Sequence, residues 1–379
     1  YVEYAADPIQ MPRILRTAMQ AALAQRGVAV VVIPGDVALA EAVDDTVTAV
    51  KASSPKVVPS DDELKHAADL LNDAKKITIL AGAGAEGAHD QVIALADQLG
   101  APIVHTLRSK QFIEYDNPFD VGMTGLLGFA SGYRAMENCD TLLMLGTDFP
   151  YRPFLPDQAQ VIQVDLRGEH LGRRIPLELG LVGDVGNTVD ALLPLLKHHR
   201  NRSHLKESLT HYTKTRAKLD DLATPRKDNQ ALHPQYIAKL IDEVADDDAV
   251  FIPDVGSPVI WAARYLKMNG KRKVIGSFIH GSMANALPQA VGVASAYPGR
   301  QVVALSGDGG VEMLLGELLT LVQNKLPVKV VVFNNSSLNF VELEMKASGF
   351  VTTATGLENP DLAGIARAAG LKGFHVDSS

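Results

Sequence analysis

Short apolar runs, each of strand length and each ending in a turn, constrain this chain more than any other feature. KITILA, PIVHT, DTLLMLG and QVIQVDL fall between residues 76 and 166, and DAVFIPDVG, KVIGSF, RQVVALSGDGG and PVKVVVFNN between 248 and 335. Most are apolar at nearly every position, so both faces are buried, which is the mark of a parallel sheet covered by helices on either side. Helical patterns lie between them, near Asp62 to Ala74 and in AHDQVIALADQLG. The fold class is therefore α/β, with successive doubly wound parallel-sheet domains. A central domain spans residues 58–196, and a strongly charged stretch, 197–230, reads as an exposed helical connector. A second sheet domain begins at 231 and runs to 379. Residues 1–42 hold a helix from about Ile9 to Arg26 and the strand GVAVVVI, with no earlier strand for it to pair with. Residues 43–57 read as a linker. The start YVEYAAD has no initiator Met and reads as the edge of a fragment.

Composition limits the partners. The net charge is -8 and no Lys/Arg cluster occurs, which argues against nucleic acid, since that would demand a basic stripe. The single cysteine, Cys139, can form neither an internal disulfide nor a thiolate metal site, and points to a reducing compartment, the cytoplasm. No apolar run approaches the roughly 20 residues of a membrane span.

Turns after the strands carry the chemistry. Gly82-Ala-Gly-Ala-Glu-Gly87 matches G-x-G-x-x-G between a strand and a helix. The acidic residue expected about 20 positions later is absent, so a tight turn competes with a dinucleotide site. GMTGLLG (122–128), GTDFPYRP (146–153) and DLRGEHLG (165–172) also follow strands. In a doubly wound sheet such ends gather at one edge, where an elongated ligand can touch all of them. Further on, Asp308 stands among Gly307, Gly309 and Gly310 after one buried strand, and Asn335 after the next. Two hard oxygen donors on adjacent strand ends suit Mg²⁺, and the glycines and a helix starting near Val311 suit a diphosphate. The competing possibility is a pair of unrelated turns.

A GDG triplet followed by 24 residues and then NN is the thiamin diphosphate (ThDP) fingerprint. With YDNPFDVGMTGLLGF, LGTDFPYRPFLP, AARYLKMNGKR, HGSMANA and VVFNNSSLNFVELEMKA, the chain resembles the quinone-reducing pyruvate oxidases of the ThDP-dependent enzymes, a group related to acetolactate synthase. The resemblance implies a pyrimidine-binding domain, of which 1–42 is the tail, then a Rossmann-like FAD-binding domain and a ThDP diphosphate-binding domain. It implies Mg²⁺ held by Asp308, Asn335 and the Ser337 carbonyl. Gly309 and Gly310 would meet the diphosphate, and Gly281, Ser282 and Met283 would lie at the cofactor. Met283 would prop ThDP into its bent shape, where otherwise it would be core filler. Phe340 would move into the active site on activation, where otherwise it would be an aromatic closing a helix onto the sheet. Thr124, Gly125, Leu126, Leu127, Thr147, Asp148, Phe149, Pro150, Tyr151 and Asp165 would contact FAD.

The same resemblance implies the reaction: oxidative decarboxylation of pyruvate to acetate and CO₂, with electrons passed through FAD to a quinone. It further implies a homotetramer, peripheral at the inner face of the cell membrane through a segment beyond residue 379. The carboxylate that activates ThDP would precede Tyr1. His280 could orient substrate or satisfy a core hydrogen bond, while His198 and His199 would be solvated. Acetolactate synthase, a phosphate-using pyruvate oxidase and a non-catalytic cofactor-binding chain are the alternatives.

Overall fold

The computed structural model describes residues 1–43, 50–51, 55–226 and 230–378. Parts of the expected linker (44–49 and 52–54) and of the expected connector (227–229) lie outside the described residues. The chain forms two compact units, Tyr1–Lys56 and Val57–Ser379.

In the first unit β1 (Val2–Tyr4) and β2 (Val30–Val32) pair in parallel, joined by α1 (Met11–Gln25), and α2 (Gly35–Leu39) follows. The expectation that GVAVVVI has no earlier strand to pair with is thus corrected, because Val2, Glu3 and Tyr4 align with Val30, Val31 and Val32. Asp7 accepts a hydrogen bond from the Ile9 N–H, and Arg26, in the left-handed region at φ 46°, ends the helix. Ala5, Ile14 and Val37 form the small core.

In the second unit the elements run α3 (Asp61–Asp73), β3 (Ile77–Ala81), α4 (His89–Leu99), β4 (Ile103–His105), α5 (Lys110–Ile113), β5 (Asp120–Met123), α6 (Ala130–Glu137), β6 (Thr141–Leu145), β7 (Gln160–Asp165), β8 (Leu179–Val182), α7 (Val185–Leu192) and α8 (Ser203–Leu222). The six strands make one parallel sheet in the order β5-β4-β3-β6-β7-β8. The order reverses between β3 and β6, the switch point at which such sheets open a crevice beyond the carboxyl ends of the strands. One core layer lies on each face, with Ile79, Leu143 and Ile162 on one side and Leu80, Leu142 and Met144 on the other.

The rest comprises α9 (Pro234–Val244), β9 (Val250–Pro253), α10 (Ser257–Tyr265), β10 (Lys273–Val274), α11 (Ala286–Ala296), β11 (Val302–Gly307), α12 (Asp308–Met313), α13 (Glu317–Gln323), β12 (Lys329–Phe333), α14 (Asn339–Ala347) and α15 (Leu362–Ala368). Its strands form a second parallel sheet, ordered β10-β9-β11-β12. Phe251 and Leu305 pack on one face of it, Ile252 and Ala304 on the other.

The stretch expected as an exposed connector is helical in α8, but its inner face is covered. Leu205, Leu209, Tyr212 and Leu219 share that face at helical spacing and join the cores, while the charged residues line the outside. His199 is half-buried, with its Nε2 lacking a partner, which corrects its expected solvation; His198 is exposed. Among the described residues no helix is long and apolar enough to cross a membrane.

Candidate functional site

All four strands of the second sheet end on the same side, and the turns beyond them meet. Asp308, 2% exposed, opens α12, which begins at this residue and not near Val311. Its Oδ1 accepts the Gly309 N–H at 2.9 Å. Its Oδ2 accepts the N–H of Asn335 (3.1 Å) and of Ser336 (2.6 Å) and the Asn359 Nδ2 amide (2.7 Å). Asp308 therefore holds the β12 turn in place, as well as standing where a cation would find it. Ser336 has φ 54°, unusual for a residue with a side chain, and its N–H is one of those held. The Asn335 Oδ1 accepts the Ser337 N–H at 3.1 Å, a local turn that leaves one lone pair free. Ser337 is fixed by a bridge to Gly356 and by its own hydroxyl, which donates to Glu342 Oε2 at 2.7 Å.

Opposite lies the loop from Ser277 to Asn285, which carries Gly281 and Ser282, both exposed, and half-buried Met283. A Cβ on Gly309 would sit 3.6 Å from Met283 Cε and 3.1 Å from Leu338 and Leu357, so the Met283 thioether adjoins the GDG turn. Phe340, in the first turn of α14, faces the β9 turn, with its ring 3.9 Å from the position of a Cβ on Gly256. His280 is exposed, which removes its core role.

Two residues that sequence reasoning missed organise this site. Asp254, fully buried at the end of β9, binds the loop through Ala284 and Asn285. The signal for it was present, since FIPDVG ends a buried strand in Asp and Gly just as LSGDGG does. Asn359 bridges Asp308 and Asn334, at 2.7 Å to each, and its Oδ1 is buried without a partner. Among the described residues no three His, Cys, Asp or Glu side chains converge. A cation here would therefore rely on amide and carbonyl oxygens beside one carboxylate. Asp308 and Asn335 are hard donors and fit Mg²⁺, whereas Asn359 turns its Nδ2 donor toward the carboxylate.

The pattern of the thiamine pyrophosphate enzymes' central domain matches residues 64–192, and that of their C-terminal TPP binding domain matches 254–379. The chain belongs to the thiamine pyrophosphate enzymes. It is 35% identical over 371 residues to the putative thiamine pyrophosphate-containing protein YdaP of Bacillus subtilis, covering 97% of this chain and 64% of that one. It is 30% identical over 343 residues to an acetolactate synthase of Mycobacterium bovis, covering 87% and 55%. An uncharacterized 42.6 kDa protein of Pseudomonas amyloderamosa is 54% identical over 230 residues, covering 60% and 58%. The chain thus spans only 55–64% of the length of these relatives.

The family's central domain brings the three other turns together at the sheet edge. Gly125, at φ 96°, comes close to Phe149 and Tyr151, whose rings stack edge to face at 5.5 Å. Asp148 is gripped by Arg174 at 2.9 and 3.1 Å and by Arg173 at 3.1 Å, tying the β6 turn to the β7 turn. Asp165 accepts the Arg167 N–H at 2.9 Å. Thr124 is buried with its hydroxyl unpartnered, Thr147 and Phe149 are buried, and Leu126, Pro150 and Tyr151 are exposed, with Leu127 between. Gly82 and Gly84 have a packing role. A Cβ on Gly84 would lie 2.7 Å from Gly146 Cα, and one on Gly82 2.3 Å from Thr147 Cβ. The G-x-G-x-x-G stretch is thus the tight turn that lets two strand ends touch at the switch point.

Proposed function

We propose that the protein of which this chain is part decarboxylates pyruvate oxidatively, giving acetate and CO₂. Pyruvate and water release two electrons and two protons, which reduce FAD and then a quinone. The carrying observation is that two ligand edges lie in one unit and are linked: Arg264 of α10 donates to the carbonyls of Leu127 (3.3 Å) and Gly128 (3.1 Å) in the β5 turn. One edge presents the diphosphate turns; the other has the orphaned Thr124 hydroxyl and the close-packed glycine turns that an elongated cofactor such as FAD would need. When bound, ThDP supplies the carbon nucleophile and electron sink, and FAD the electron acceptor. Asp308 with the Asn335 amide oxygen and the Ser337 carbonyl would hold Mg²⁺, and the Gly309 and Gly310 amides the diphosphate. Met283 would press on the cofactor from the loop opposite, and Phe340, standing at the β9 turn, would gate access. A quinone acceptor would place the enzyme at the inner face of the membrane as a peripheral homotetramer.

Similarity to acetolactate synthases supports a second function, the joining of two pyruvates. The intact protein, loaded with ThDP, Mg²⁺ and FAD and given pyruvate with an artificial dye acceptor, separates the two. Dye reduction with acetate formation is expected. Acetolactate without dye reduction would establish the synthase instead.

A further inference from the structure

Asp254 has no place among the expected ligands, yet it is fully buried beside them. Its Oδ1 accepts the N–H of Val255 (3.0 Å), the N–H of Asn285 (3.1 Å) and the Asn285 Nδ2 amide (2.8 Å). Its Oδ2 accepts the Ala284 N–H at 3.1 Å. Ala284 has φ 62°, and Asn285 follows at φ -75°, ψ -26°. A left-handed residue followed by a right-handed one turns successive N–H groups inward, the concavity that binds anions. Here the anion is a side chain of the protein itself. Asn285 spreads the constraint, donating to the Ser282 carbonyl at 2.9 Å and accepting from the Ser277 N–H at 3.2 Å.

The arrangement repeats that of Asp308. Each carboxylate ends a buried strand, and each accepts the N–H of a residue other than glycine in the left-handed region, Ala284 in one case and Ser336 in the other. Such a conformation is costly for a residue with a Cβ and persists where its surroundings hold it. Gly310 completes the pattern, since a Cβ there would fall 2.0 Å from Asp254 Oδ2.

We infer that Asp254 is the positioning residue that keeps the Gly281–Met283 segment closed against the GDG turn, so that ThDP meets a preformed wall. The inference rests on the ThDP reading of the site. Asn in place of Asp254 shows where the constraint acts. Its oxygen is best used toward the three donors on the Oδ1 side, which leaves its NH₂ against the Ala284 N–H, donor to donor. The loss falls on the strained residue. Glycine at 284 adopts φ 62° at little cost and so relieves the need for the carboxylate.

The test compares the intact protein with its Asp254→Asn, Ala284→Gly and double variants, by ThDP titration in Mg²⁺ and by hydrogen exchange. Asp254→Asn is expected to weaken ThDP by about 10-fold and to speed exchange of the Ala284 amide relative to Phe251 in β9, with Ala284→Gly recovering at least a third of the lost affinity on a logarithmic scale. A deficit that Ala284→Gly leaves untouched, or wild-type affinity in Asp254→Asn, overturns the inference. If the intact wild-type protein itself fails to take up ThDP, the cofactor reading fails; exchange at Ala284 then decides, and unchanged protection in Asp254→Asn sinks the positioning role.

Discussion

A methyl group on Gly310 would collide with a carboxylate that has nowhere to go, because Asp254 is fixed by four hydrogen bonds. Gly310→Ala is therefore expected to destabilise the second unit by about 1–3 kcal/mol, the usual range for overpacking, measured as a lower denaturant midpoint. Gly309→Ala is the contrast. Its Cβ would press, at 3.1 Å, only on the ends of the Leu338 and Leu357 side chains, which can swing, so a smaller loss is expected. Equal losses would show that Asp254 does not set the requirement. Asp308 and Asn335 were legible in the sequence because each ends an apolar run, buried in β11 and half-buried in β12, where a polar side chain needs a reason. Asn359 was not, since it comes from a polar stretch without strand or helix pattern, 51 residues from the carboxylate it contacts.

At the scale of elements, the long apolar strands β3, β6, β7, β11 and β12 stand where the apolar runs predict. β8 was missed, and β5 was implied only as the strand before GMTGLLG, because LGLV and DVGM are short and carry Gly, and in β5 Asp as well, which weakens the pattern. Asp120 of β5 is 6% exposed, and burial, with the Glu114 charge second, pushes its carboxyl up to about 7. Burial and the Lys110 charge hold its neighbour His105 down at about 3. Their 3.5 Å contact is therefore not an ion pair at any pH between those values. Because the folded state keeps a proton on Asp120 that the unfolded chain releases near the ordinary value of 3.8, Asp120 contributes stability at acid pH that is lost as pH rises toward 7. Burial of neutral His105 acts in the opposite sense, costing stability as pH falls below 6.5. Asp120→Asn removes the first effect alone and retains an acceptor for the Gly122 N–H, held at 3.0 Å. Relative to wild type, its unfolding free energy by denaturant titration is expected to improve steadily from pH 4 to pH 7, with a slope of at most about 1.4 kcal/mol per pH unit. A difference independent of pH would mean that Asp120 is ionised throughout.

Over the whole molecule, each sheet puts its strand ends, and hence its candidate ligand groups, on one edge. That much follows from parallel strands and could be predicted from periodicity alone. What periodicity could not supply was how the turns are held: two buried carboxylates, one asparagine bridge and two left-handed residues form contacts between segments far apart in sequence. In the proposed function the β11 and β12 turns hold the ThDP diphosphate through Mg²⁺. Calorimetric titration of the intact protein with ThDP, in Mg²⁺ and in a chelator, for wild type and Asp308→Ala, decides it. Binding should weaken by about 10-fold or more, at least 1.4 kcal/mol, when either the metal or the carboxylate is removed. Equal affinity with and without Mg²⁺, or in Asp308→Ala, would contradict it.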